Sequence, residues 1–390
     1  MKKNNLILLI HILSLLSFSS CLDNHKKKKQ DITTKEHSEE SYDLDHLQEH
    51  GELIAVTISG PDTYYEYKGK GMGLQYELCL SYAKFIGARL RMETVHDTTT
   101  LFNKLIHNEA DIIALEMSHR RTLPDECCFA GPWSTSSDST DKCQWIVRKN
   151  APLLKTSLDE WYKPAHRTQL LEKQSALFRP LPQSKKAHAP ILDRKKGIIS
   201  PYDATFIRVA PNIGWDWRLL AAQCYQESGF DAQAVSWAGA IGLMQIMPET
   251  ASHLKVHADH LYQPEKNIQT AAHYIKHLNN TFSDIKNRLD RIHFILAAYN
   301  GGAGHVRDAM TLARKHGKNP QSWNDVAPFI LRLSLPAYYN DPDVNYGYLR
   351  GEETYQYVHA IINRWEQYKK AIPGAYKVQP RPATSRQRKR

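Results

Sequence analysis

Residues Trp217 to Glu227 contain neither proline nor glycine and are rich in helix formers, so a helix is the regular structure they fit. Trp217, Leu220, Ala221 and Cys224 fall at i, i+3, i+4 and i+7 and make one apolar stripe that needs burial. Glu227 continues the stripe, and Ser228-Gly229 then supplies a stop, with the glycine suited to a left-handed cap. A carboxyl group is thereby carried to the end of a buried helix face. Burial disfavours its charged form and raises its pKa. A raised pKa is what a general acid needs near neutral pH. Taken alone, such a glutamate is also what a capped or ion-paired structural residue looks like.

The chain around this helix has 390 residues, which suggests two or three domains. Its apolar share of 42% and charged share of 24% are those of a globular chain and exclude wholesale disorder and collagen. The net charge of +10 is concentrated at the ends, in Lys26 to Lys29 and in Arg386, Arg388, Lys389 and Arg390. A nucleic-acid binder would place basic residues on a folded face among aromatics, so no nucleic-acid partner is expected.

Met1-Lys2-Lys3 precedes an apolar run from Leu6 to Phe18, too short to span a bilayer. Together they make a secretory signal. Its end, Phe18-Ser19-Ser20-Cys21, resembles the lipobox of bacterial lipoproteins, although Phe18 stands where leucine is more usual. The resemblance implies cleavage and lipidation at Cys21, hence a lipid anchor in a membrane. With Leu22 next, the expected address is the outer membrane, facing the periplasm. An ordinary cleaved signal with an incidental cysteine is the alternative. Residues 1–21 are thus read as a leader and the charged stretch 22–50 as a flexible tether. In an oxidising compartment Cys127 or Cys128 could pair with Cys143.

Residues 51–162 read as a first folded unit. Leu53 to Ile58, Arg89 to Met92 and Ala110 to Ala114 read as strands, and Gly71 to Gly87 and Leu101 to Ile106 as helices. Leu74, Leu78, Tyr82 and Phe85 mark the apolar face of the first helix. The alternation implies an α/β unit. Gly51 to Thr57, Gly73 to Leu78 and Glu109 to Ala114 resemble the first lobe of the type 2 periplasmic solute-binding proteins. Such proteins close two lobes around a ligand, and here the second is missing. The polar stretch 163–195 shows no strand pattern and reads as a linker. The lobe is therefore expected to be a spacer or docking surface, with 196–370 as a helical domain and 371–390 as a basic disordered tail.

Beyond Glu227 come Gly242-Leu243-Met244-Gln245-Ile246-Met247-Pro248, Ala298-Tyr299-Asn300-Gly301-Gly302 and Arg350 to Val358. With Glu227-Ser228, these ordered blocks resemble the signature of the family 1 lytic transglycosylases, the lysozyme-like SLT domain, over roughly 200 to 368. A solute-binding-like domain ahead of it resembles the membrane-bound lytic murein transglycosylase F group. The implied fold class is α+β and multidomain: an α/β half solute-binding lobe, then a mainly α lysozyme-like domain.

The resemblance implies an enzyme that cleaves the β-1,4 bond between N-acetylmuramic acid and N-acetylglucosamine in peptidoglycan strands. Glu227 would protonate the leaving oxygen and then accept a proton from the muramoyl 6-hydroxyl, giving a 1,6-anhydro product. One carboxyl group serves where most glycosidases use two, and the blocks show no obvious second. Ser228 and Gln245 would hold the glycan or the acid, Met244 would line the cleft and Tyr299 would position Glu227. Asn300 and Tyr357 would complete the wall. No cofactor or metal is implied, so His253, His257, His260, His273 and His277 read as surface residues. The alternatives are a lysozyme-type hydrolase of the same bond and a non-catalytic peptidoglycan- or solute-binding lipoprotein.

Overall fold

The structure of this protein, a computed structural model, describes residues 42–135, 141–177 and 189–373. The leader with Cys21, most of the expected tether and residues 374–390 lie outside the described residues.

The first lobe contains α1 (Leu44–His50), β1 (Glu52–Ile58), β2 (Tyr65–Tyr67), β3 (Lys70–Met72), α2 (Leu74–Ile86), β4 (Arg89–Val95), α3 (Thr98–Ile106), β5 (Ile112–Ser118), β6 (Cys127–Thr135), β7 (Lys142–Arg148), α4 (Pro152–Trp161) and α5 (Pro164–Leu177). Five strands form one sheet in the order β4-β1-β5-β7-β6. β1 pairs in parallel with β4 and β5, while β7 runs antiparallel to both β5 and β6. Both faces are covered, as a sheet with a parallel core requires. Leu53, Ala55, Ile112 and Trp145 pack under α1, α2 and α4, whereas Val56, Ile113 and Ile146 pack on Leu101 and Leu105 of α3.

Several expectations need correction. The tether does not run to residue 50, because Asp43 caps α1 through Leu44 N–H and also accepts from Leu153 and Leu154 at the start of α4. The linker contains α5, whose Lys173 reaches Glu77 of α2 at 3.4 Å. The segment from Gly71 does not start as helix: Lys70–Met72 is a strand and α2 begins at Leu74. Phe85 is 63% exposed while its neighbour Ile86 is buried. The disulfide is excluded by register. Cys127 stands opposite Arg148 and Cys143 opposite Ser134, at opposite ends of the β6–β7 pair, and all three cysteines are free. Five residues of strand separate positions 143 and 148, roughly 17 Å, far beyond disulfide reach.

The helical domain contains α6 (Asp203–Val209), α7 (Trp217–Ser228), α8 (Pro248–His253), α9 (Pro264–Thr281), α10 (Arg288–Gly301), α11 (Ala303–Lys315), α12 (Trp323–Arg332), α13 (Pro336–Tyr339) and α14 (Gly351–Ala371). The core is continuous from Phe206 through Leu220, Ile275, Leu296 and Ile330 to Ile361. α7 sits inside it, with Leu219, Ala222 and Gln223 buried as well as the expected stripe.

The lobe docks on this domain through aromatic contacts. Tyr65 meets Tyr348 edge-on with centroids 4.9 Å apart, and Tyr348 N–H donates to Ser59 Oγ at 3.0 Å. Among the described residues no helix is long and apolar enough to cross a membrane.

The lobe core holds one buried ion pair. Arg148 Nη1 donates to the carbonyls of Leu105 (3.1 Å) and Ala110, and Nη2 to Tyr42 O at 2.9 Å and Asp111 Oδ1 at 3.4 Å. Burial pushes the Asp111 carboxyl up, against the Ile54 N–H and the Arg148 charge that favour its ionised form. Removing one partner of such a pair strands the other charge. Arg148→Ala is therefore expected to destabilise the protein by about 3–5 kcal/mol, read as a lower denaturation midpoint. An unchanged midpoint would show that the pair is dispensable.

Candidate active site

Asp216 caps the start of α7 through Arg218 N–H, and Gly229 ends it in the left-handed region at φ 64°. Glu227 therefore emerges in the last turn, partly buried, between the 231–247 loop, which Ser228 reaches, and α14, which carries Tyr357. Removal from water raises its pKa to about 7; a hydrogen bond from Tyr357 and the charge of Lys68 oppose the rise, and Glu353 adds to it. The Tyr357 hydroxyl donates to Glu227 Oε1 at 2.5 Å and accepts from Gln223 Nε2 at 3.2 Å. Gln223 and Glu227 are one turn apart on α7, so the helix itself sets this relay.

The 231–247 loop is held by one buried amide. Asn267 Nδ2 donates to Ile241 O at 2.9 Å and Leu261 O at 2.8 Å, and its Oδ1 accepts from Met244 N–H at 2.8 Å. Gly242 lies at φ 76°, and a Cβ there would meet Leu261 O at 2.4 Å, so no other residue fits. Gln245, at φ 47°, turns its amide back to Gly242 O (2.9 Å) and Ala234 O (3.2 Å).

Of the expected site residues, Tyr357 meets Glu227 directly, while Ser228, Met244, Gln245, Tyr299 and Asn300 make contacts of their own. The hydroxyl on Glu227 comes from Tyr357, not Tyr299; the Tyr299 hydroxyl donates instead to Met244 O at 2.8 Å. Met244 is fully buried, so its side chain packs in the core rather than lining the cleft. Ser228 Oγ donates to Leu243 O at 2.8 Å, tying α7 to the loop. Asn300 Oδ1 accepts from Thr354 Oγ1 at 2.9 Å and joins α10 to α14. Lys68, Gln223, Asn267 and Glu353 were not anticipated. Glu353 was within reach of sequence reasoning, because it precedes Tyr357 by one helical turn and shares its face.

Residues 205–322, which run from α6 through α11, match the family described as Transglycosylase SLT domain. Over most of its length the chain is similar to membrane-bound lytic murein transglycosylase F. The relative from Desulfosudis oleivorans is 24% identical over 84% of this chain and 92% of its own. The relative from Maricaulis maris is 39% identical over 44% of this chain and 37% of its own. Among solved structures, the arginine-bound form of domain 1 from TmArgBP covers 30% of this chain and 98% of its own, at 18% identity and a TM-score of 0.26.

A folded-state pKa of about 7 against an ordinary 4.5 has a consequence for stability. The native state holds this proton more tightly than the unfolded chain does. The resulting stability is full below the ordinary carboxylate pKa and is lost as pH rises through about 7. Glu227→Gln has no charge to bury. At pH 8 it is expected to be more stable than the wild type by roughly 1–3 kcal/mol, with the gap closing toward pH 4.5. Unfolding titrations at the two pH values would show a constant gap if Glu227 were not desolvated.

Proposed function

We propose that the protein is a peptidoglycan lytic transglycosylase with Glu227 as its acid and base. The observation that carries this is a partly buried carboxyl with a pKa near 7 on an SLT domain, oriented by Tyr357 and Gln223. With Oε1 engaged by Tyr357, the other oxygen is the one to hold the proton. Glu227 gives that proton to the leaving oxygen of N-acetylglucosamine as the C1–O4 bond breaks. The hydrogen bond from Tyr357 favours the carboxylate that results. Glu227 then takes the proton of the muramoyl 6-hydroxyl as O6 bonds to C1. The enzyme is restored, no water is consumed, and the product carries a 1,6-anhydro end. Ser228, Met244, Gln245, Tyr299 and Asn300 hold the walls in register rather than reacting. No step calls for a cofactor or metal.

A hydrolase of the same bond would use a second carboxylate to activate water. Glu353 is such a group at the site, but Tyr67 and Lys68 already hold it. Mass spectrometry of digested sacculi separates the readings, because an anhydro end is lighter than a hydrolysed end by one water. Anhydro ends are expected from the wild type, and at least a ~10²-fold loss of release from Glu227→Gln. The wild-type rate is expected to fall above pH 7 as the acid loses its proton. Near wild-type turnover by Glu227→Gln would remove this residue from the mechanism.

The name of the full-length relatives includes membrane-bound. We take Cys21 as the lipidated residue, holding the enzyme at the outer membrane toward the periplasm, with the polymer strands as partner. Each buried lipid CH₂ contributes about 0.8 kcal/mol, so several chains hold firmly. Cys21→Ala is expected to move the protein into the soluble fraction. Retention of the variant on membranes after a salt wash would exclude the lipid anchor.

A further inference from the structure

The β2–β3 hairpin belongs to the first lobe, yet its tip reaches both elements that flank Glu227. Tyr67 stacks on Trp237 of the 231–247 loop, with centroids 5.5 Å apart and planes within 2°. The same side chain donates from its hydroxyl to Glu353 Oε1 of α14 at 2.6 Å. Lys68 Nζ lies 3.6 Å from that oxygen, and the Arg350 guanidinium sits over the Tyr67 ring. Beside Trp237, Lys70 Nζ lies 3.7 Å from where a Cβ on Gly239 would stand. Lys68 also acts on Glu227 through its charge, so the tip lies close to the acid.

The tip is built to hold this position. Lys68 at φ 50° and Gly69 at φ 73° give the two left-handed residues of a tight hairpin turn, which ties β2 to β3 without slack. Behind the turn the lobe is fixed to the helical domain by Tyr65, Tyr348 and Ser59.

A polymer can be laid sideways into a groove only if the groove is open on both sides of the bond to be cut. A bar from wall to wall prevents that. The strand must either stop against the bar or pass beneath it, and in both cases an end enters first. We propose that the β2–β3 hairpin bridges the glycan groove and that Tyr67 and Lys68 confine cleavage to strand ends. The proposal rests on the transglycosylase reading above.

The test uses the full chain, long uncross-linked glycan strands and short digestion times. Products are separated by length and their anhydro ends identified by mass spectrometry. The wild type is expected to release units of disaccharide size beside a long remnant. Tyr67→Ala removes the stack and the hydroxyl, and is expected to raise the ratio of intermediate-length to disaccharide products about fivefold or more. Lys68→Ala keeps the stack and is expected to move the ratio the same way by less. The ratio does not depend on how much variant is folded, because unfolded enzyme releases nothing.

Intermediate lengths from the wild type at the earliest times would overturn the proposal while leaving the function intact. A wild-type ratio in both variants would do the same, as would complete loss of product in both, since an opened groove should still cut. Products without anhydro ends would instead overturn the transglycosylase reading and this proposal with it.

Discussion

Keeping a carboxyl group protonated near neutral pH requires taking it out of water, and the helical domain is arranged around that requirement. α7 is buried on several sides rather than along one stripe, so its last turn ends against the loop and α14 and not on the open surface. A desolvated carboxyl needs a partner for at least one oxygen. Tyr357 supplies it from α14, itself steadied by Gln223 from the turn before. The loop opposite is then fixed to α7 by Ser228 and to α9 by Asn267. Asn267 satisfies two buried carbonyls and one buried N–H at once. Leaving such groups unmatched costs about 1–3 kcal/mol each, so the loop and the acid are rigid for the same reason.

What could be read in the sequence was what local pattern dictates. The strands at Glu52–Ile58 and Arg89–Val95, the helix at Trp217–Ser228 and the left-handed Gly229 all follow from runs of a few residues. Glu227 was found the same way, as the polar continuation of an apolar stripe. The parts not legible there depend on partners far away along the chain. Tyr67 and Glu353 are 286 residues apart, and no periodicity joins them. Asn267 lies inside a polar-looking helix, and only its enclosure reveals it as the pin of the loop. Tyr299 and Tyr357 were both placed at the site, but which hydroxyl meets the acid depends on how α10 and α14 pack. The cysteine pairing failed because closeness in sequence says nothing about register along a hairpin.

The lobe meets the helical domain just beyond the end of β1. Here Ser59 and Tyr65 at that edge meet Tyr348 of the helical domain, and the hairpin beyond reaches Glu353. The charges at that contact oppose each other as seen from the acid: Glu353 pushes the pKa of Glu227 up while Lys68 pulls it down. The largest cause of the raised pKa is burial, which outweighs the hydrogen bond from Tyr357. Burial is a property of the packed domain, whereas an exposed charge pair is weak and screened by salt. An acid tuned by enclosure is less sensitive to salt than one tuned by an exposed charge pair. The lobe can therefore sit at the groove, and contribute to which part of a polymer enters it, without setting the chemistry of the carboxyl beneath.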